Sequence, residues 1–315
     1  MPLDAQEVVD RRRLTRRLSR WRFAALALVV LFVLGVAGVL ARDQFGAFGG
    51  EQVARVQITG LITGDRKTLD LIDRIGKNDN IRALILSIDS PGGTTAGSEE
   101  LFNAVRKVAA RKPVVAELGT LAASGGYIAA ISADRIFARR NTLTGSIGVI
   151  FQWANVTRLL DNVGVSFSTV KSAPLKAEPN PFTPENPEAV AAMRVLVEDS
   201  FNWFVDLVAD RRGMEETRAR QLADGRLYTG KQALENGLID EIGGDDEVRA
   251  WLEKEHGIGS GVPVRDLAPD AGFAGISVQA VARFFGMERL AAMLAAPQTP
   301  ISGLVAVWEP QMVDR

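Results

Sequence analysis

Hydrophobic positions change their period along the chain, and the changes mark out its elements. Phe23 to Ala41 is an uncharged apolar run of 19 residues. At about 1.5 Å per helical residue it reaches roughly the thickness of a hydrocarbon core, which predicts a transmembrane helix. Gln52 to Thr59 alternates apolar and polar positions like a strand. Thr68 to Lys77 reads as a helix, and Ile81 to Ile88 is apolar enough for a buried strand. Ser98 to Ala110 has helical spacing, with Leu101, Val105 and Val108 on one face. Pro113 to Leu118 and Arg135 to Ala138 read as strands, with a helix from Ser124 to Ser132 between them. Pro174 to Pro187 holds five prolines and predicts a loop.

Beyond that loop, Val190, Met193, Val197, Phe201, Phe204 and Val208 recur at three- and four-residue spacing, so a long helix is expected over Glu188 to Arg212. Leu227 to Ile242 forms a smaller helix–strand unit, and one amphipathic helix is expected near Val278 to Leu294. The βαβα rhythm predicts an α/β fold with a mainly parallel sheet and right-handed crossovers. The expected organisation is a leader at 1–22, an anchor at 23–41, a linker at 42–52, a main domain at 53–259 and a tail at 260–315 with no readable role.

Charge gives the apolar run its meaning. Seven arginines precede it and only Arg42 follows closely. That bias keeps the N-terminus in the cytoplasm and sends residues 43–315 across the membrane. A cleaved signal peptide is the competing reading, but the run is longer than a signal core of about 7–15 residues. Beyond position 42 there are 29 basic and 35 acidic residues, a net of −6. A mildly acidic body argues against nucleic acid as a partner. The chain has no cysteine, which excludes disulfides, thiolate catalysis and Cys-ligated metals. Its one histidine, His256, excludes a multi-histidine metal site. No metal or other cofactor is implied.

Two glycine-rich turns are expected after two strands: Ser90-Pro91-Gly92-Gly93, and Ala122-Ala123-Ser124-Gly125-Gly126. Glycines let a backbone approach a ligand and aim its N–H groups at it. Paired turns of this kind suit the oxygen that becomes negative during acyl transfer. A serine among small residues at a helix start is well placed to attack, though such a serine also serves as an ordinary cap. Ser124 needs a base. His256 with Asp240 or Asp245 would follow the chain order of an α/β-hydrolase triad. However, it sits in a charged helix end beside Gly257, where a histidine needs no function. Lys176 is the other candidate, since a lysine removed from water can act as a base. Gly225 to Gln232 nearly spells a P-loop but ends in Gln232 where Ser or Thr must hold magnesium.

Five blocks together resemble the signal peptide peptidase A (SppA) family of serine proteases. They are Ser90–Gly93, Leu121–Ile128, Asn141–Val149, Lys171–Lys176 and Gly225–Gly230. The resemblance spans roughly residues 50–250, and the basic leader and single span are similar to the family's short, membrane-anchored form. It implies Ser124 as nucleophile, Lys176 as general base and Ser146 as the residue orienting that lysine. Gly92 and Gly125 would donate to the oxyanion. Ala173 and Pro174 depart from the family's pattern before the lysine, so Lys171 is the second candidate. The implied fold is a Clp-protease/crotonase-like spiral of ββα units. The implied assembly is a homo-oligomeric ring in the bacterial inner membrane, with the catalytic domain facing the periplasm and a dyad completed between subunits. Remnant signal peptides and other membrane-associated or unfolded polypeptides are the implied substrates. A crotonase-like enzyme acting on acyl thioesters, or a non-catalytic membrane scaffold, are the alternatives.

Overall fold

The computed structural model describes residues 50–269, Trp21 and the strand at 305–307. The expected anchor at 23–41 and the helix expected near Val278–Leu294 lie outside the described residues. Among the described residues, no helix is long and apolar enough to cross a membrane. The chain divides into the units Met1–Gly50 and Glu51–Arg315, and the elements that follow belong to the second.

Strand β1 (Gln52–Ile62) leads into α1 (Arg66–Lys77), where the Asp65 carboxylate accepts from Thr68 N at 3.0 Å and Leu71, Ile72 and Ile75 are buried. Strand β2 (Ile81–Thr94) is buried almost continuously over Ile81–Ile88, as expected of a parallel strand covered on both faces. Thr94 caps α2 (Thr95–Ala109) by accepting from Gly97 N, three residues earlier than the Ser98 start the apolar spacing suggests. Then come β3 (Val114–Ala123), α3 (Gly125–Ile131), β4 (Arg135–Ala138), β5 (Leu143–Gly145) and α4 (Thr157–Asn162). The long helix α5 (Pro187–Arg212) starts with Pro187, whose missing N–H costs nothing there, and stops at left-handed Gly213. The remaining elements are α6 (Glu216–Leu222), β6 (Leu227–Thr229), α7 (Gly230–Glu235), β7 (Glu241–Ile242), α8 (Asp245–His256), β8 (Val264–Leu267) and β9 (Val305–Val307).

They form one mixed, mainly parallel sheet in the order β6-β5-β3-β2-β1-β8, with β4 between β3 and β7. Among the described residues, only the β5–β6 and β2–β9 pairs are antiparallel. Two irregularities shape the site. The Ser90–Gly93 block is not a turn: it continues β2, because after a register shift Leu61 and Ile62 pair with Gly92 and Gly93. The Ser90 hydroxyl spans that shift by donating to Gly60 O at 2.7 Å. Strand β3 changes partner midway. Its Val115–Leu118 half pairs with β4, and its Leu121–Ala123 half pairs with β5. At the switch, Leu121 N donates to Asp89 Oδ1 at 3.1 Å and Thr142 Oγ1 donates to Gly119 O at 2.7 Å. These side chains satisfy backbone groups that the ladder leaves out.

A polar network pins α3 from behind. Arg211 donates to Ile131 O and Ala133 O, both at 2.8 Å, capping the C-terminus of α3. Arg212 holds Asp240 with bonds of 2.7 and 3.2 Å, while Asp240 also accepts Ile136 N at 2.8 Å. Tyr127 on α3 donates to Leu238 O at 2.7 Å, and burial pushes its phenol pKa well up. The Arg212 and Asp240 side chains are only 11% and 21% exposed, so removing one strands the other in a poorly solvated place. Arg212→Ala is therefore expected to cost about 3 kcal/mol in urea unfolding. A loss below about 0.5 kcal/mol would place this pair with ordinary surface bridges.

Candidate active site

The site grows from the register of β3 and β5. Ala123 pairs with Gly145, so the residues that follow, Ser124 and Ser146, leave two adjacent strand ends together. Ser124 N donates to Gly145 O at 2.8 Å, and Ser146 N donates to Arg226 O at 2.8 Å. Three non-glycine residues in the described chain have positive φ: Ser124 (55°), Ser146 (49°) and Ala177 (60°). Two are candidates from the sequence, and the third follows candidate Lys176. Such conformations cost about 1–3 kcal/mol and persist only where the surroundings impose them.

Ser124 precedes α3 without acting as a side-chain cap. Its Oγ has one long contact, to Gly148 O at 3.5 Å, so the hydroxyl is weakly held. Both serines are nearly buried, at 1% and 8% exposure. Gly125 and Gly126 must be glycine. A Cβ on Gly125 would meet Ser98 Oγ at 2.4 Å and Gly93 N at 3.0 Å, and one on Gly126 would meet Ser90 O at 2.8 Å. The two glycine blocks therefore touch through their backbones. Gly92 has φ 116°, and its N–H donates to Ser90 Oγ at 3.1 Å. Beyond the last β2–β3 pair, Ser90 with Ala122, Gly92–Thr94 pairs antiparallel with β9.

The fifth block supports the second serine. Thr144 pairs with Tyr228, and a Cβ on Gly145 would strike the Tyr228 ring at 2.7 Å. Tyr228 also donates to Leu222 O at 3.1 Å. This backing was not apparent in the sequence, where Tyr228 stands inside a decoy P-loop.

The candidate bases separate. Lys171 forms an ion pair with Glu178 and holds that carboxyl below its ordinary pKa. Lys176 is exposed, and among the described residues its ammonium makes no hydrogen bond or ion pair. The bonds found for Ser124 do not include Lys176. His256 is exposed at the end of α8, against the Trp251 ring at 4.6 Å between centroids. Asp240 is engaged by Arg212 and Asp245 by Arg55 and Arg249, so neither is paired with His256. The hydrolase-type triad does not assemble.

A strained, uncapped serine at a strand–helix junction between glycine blocks suits a serine-type peptidase. The family model for peptidase family S49 matches residues 106–259. A Synechocystis sp. protein with a provisional protease name is 38% identical over 202 residues, covering 64% of this chain and 73% of that one. An Enterococcus faecium protein provisionally named signal peptide peptidase SppA is 34% identical over 207 residues, covering 65% of this chain and 60% of that one. In fold, a serine-to-alanine mutant of the membrane-bound stomatin-specific protease 1510-N superposes with a TM-score of 0.45 at 21% identity, over 70% of this chain and all of that one. The chain belongs to peptidase family S49, the SppA family, and is a serine-type peptidase.

Proposed function

We propose that the protein is a membrane-anchored endopeptidase that cuts with a Ser124–Lys176 dyad. It takes remnant signal peptides and other membrane-associated or unfolded polypeptides. It works as a ring of identical subunits on a Clp-protease/crotonase-like spiral, with residues 43–315 on the periplasmic side of the bacterial inner membrane. The observation that carries this reading is Ser124: a buried serine at φ 55° and ψ −115°, uncapped, in register with Ser146.

In the mechanism, unprotonated Lys176 takes the Ser124 proton as Oγ attacks the peptide carbonyl. The carbonyl oxygen becomes negative and is met by the Gly92 and Gly125 N–H groups, Gly92 giving up its bond to Ser90. The C–N bond breaks as the lysine ammonium protonates the leaving amine. Water, losing a proton to the same lysine, then attacks the acyl-serine, and that proton returns to Ser124. The β2 edge at Gly92–Thr94 accepts an antiparallel strand from β9, which supports an extended polypeptide as substrate.

Two features support the ring. Leu159, Val163, Val165, Val170, Val195 and Leu196 are large apolar side chains left exposed on the 150–196 excursion and on α5. Lys176 on the same excursion is exposed and its ammonium has no partner among the described residues, which fits a dyad completed by Lys176 of the partner subunit. Casein hydrolysis by the full chain in detergent tests the function. His256→Ala should keep activity within about twofold, as expected for a solvated helix end. An assembled oligomer that cuts no polypeptide would overturn the proposal.

A further inference from the structure

Ser98 lies in the first turn of α2 and is fully buried, yet among the described residues its hydroxyl has no hydrogen-bond partner. A buried hydroxyl without a partner is costly, and an alanine would fill the same place without that cost. A serine in a helix usually relieves itself on the carbonyl four residues back, which this one does not. The hydroxyl instead faces the glycines of the site. The point where a Gly125 Cβ would stand is 2.4 Å from Ser98 Oγ, 3.0 Å from Gly93 N and 3.2 Å from Gly92 Cα. With a C–C bond of about 1.5 Å, Ser98 Oγ is thus within about 4 Å of Gly125 Cα. One residue earlier, Gly97 lets α2 pack against the β1–α1 connection, since a Cβ there would meet Gly64 N at 2.5 Å. The helix is packed close enough to place one polar atom behind both glycine blocks.

We propose that Ser98 is a positioning residue of the oxyanion hole. Its hydroxyl is held behind Gly125 and bonds the glycine backbone as the Gly92 and Gly125 N–H groups turn toward the developing negative charge. The cost of the unmatched hydroxyl falls on the ground state, and the bond forms in the transition state, which lowers the barrier. This rests on the endopeptidase reading and adds a residue to it. In the sequence Ser98 stood only as the first residue of the helix expected over Ser98 to Ala110.

The test uses the full chain in detergent with a fluorogenic peptide. Ser98→Ala is expected to lower kcat by about tenfold, the effect of one hydrogen bond, with KM unchanged. Its thermal midpoint should be equal to or above wild type, because the hydroxyl makes no bond that the substitution removes. Affinity for a peptide boronic acid, which places a negative oxygen in the hole, should fall by the same factor as kcat. Affinity for the matching peptide alcohol should not fall. Ser98→Cys, close in size and a weak donor, should lie between. Wild-type kcat in Ser98→Ala overturns the proposal, as does a fall in thermal midpoint that tracks the loss of kcat. If Ser124→Ala retains wild-type hydrolysis, the endopeptidase reading fails and this one with it. If Ser124→Ala is dead and Ser98→Ala fully active, only the role of Ser98 falls.

Discussion

Ser124→Ala is expected to slow casein hydrolysis by on the order of 10³-fold or more, with no measurable loss of stability. The first half follows from the nucleophile having no substitute: the neighbouring Ser146 follows the end of β5, and its backbone N–H is tied to Arg226 O. The second half follows from the single long contact of Ser124 Oγ, at 3.5 Å. Ser124→Gly separates chemistry from backbone. It removes the same hydroxyl and also the Cβ that makes φ 55° and ψ −115° costly. It should be equally inactive but more stable than Ser124→Ala by about 1 kcal/mol in urea unfolding, part of the roughly 1–3 kcal/mol such conformations cost. Equal stability of the two variants would mean that this junction stores no strain. Residual activity within tenfold of wild type in Ser124→Ala would remove it as the nucleophile.

The strain also explains what the sequence could and could not convey. Apolar period located most elements, since burial on one helix face or both strand faces leaves a pattern in the residues themselves. The C-terminal end of α5 follows it, with Phe204 and Val208 buried. Toward its N-terminus the same stripe continues through Met193 and Val197, which are only half-buried, while Val195 and Leu196 beside them are exposed. The period reported an apolar face but not what covers it. Ser90–Gly93 misled for another reason. Proline and glycines signal a turn, but a register shift and one Ser90 hydrogen bond keep β2 extended to Thr94. The blocks around Ser124 and Ser146 were visible as small-residue motifs. Their meeting depends on the pairing of Ala123 with Gly145, a long-range register that no local pattern encodes. His256 was legible because a helix end beside a glycine has local rules, and α8 ends at left-handed Gly257.

Lys176→Ala is expected to match Ser124→Ala in loss of hydrolysis, while Lys171→Ala stays within about threefold of wild type. The two lysines are five positions apart, and composition does not distinguish them. Their surroundings do: Lys171 is tied to Glu178, whereas exposed Lys176 is followed by Ala177 at φ 60°, the one strained residue of that loop. Glu178 holds the Lys171 side chain within its own loop, whereas the Lys176 ammonium has no partner among the described residues. If the dyad is completed by Lys176 of the partner subunit, a further result follows. Ser124→Ala and Lys176→Ala subunits produced together and assembled at random should recover about a quarter of wild-type activity, since half the sites receive an intact serine and half of those an intact lysine. The double variant Ser124→Ala/Lys176→Ala mixed with wild type controls for dilution. A dyad formed within one chain would leave the first mixture inactive, because each subunit then lacks one of its two groups. That outcome would still be compatible with a ring, but the apolar excursion would serve only to hold subunits together, and access to Ser124 would be settled inside each protomer.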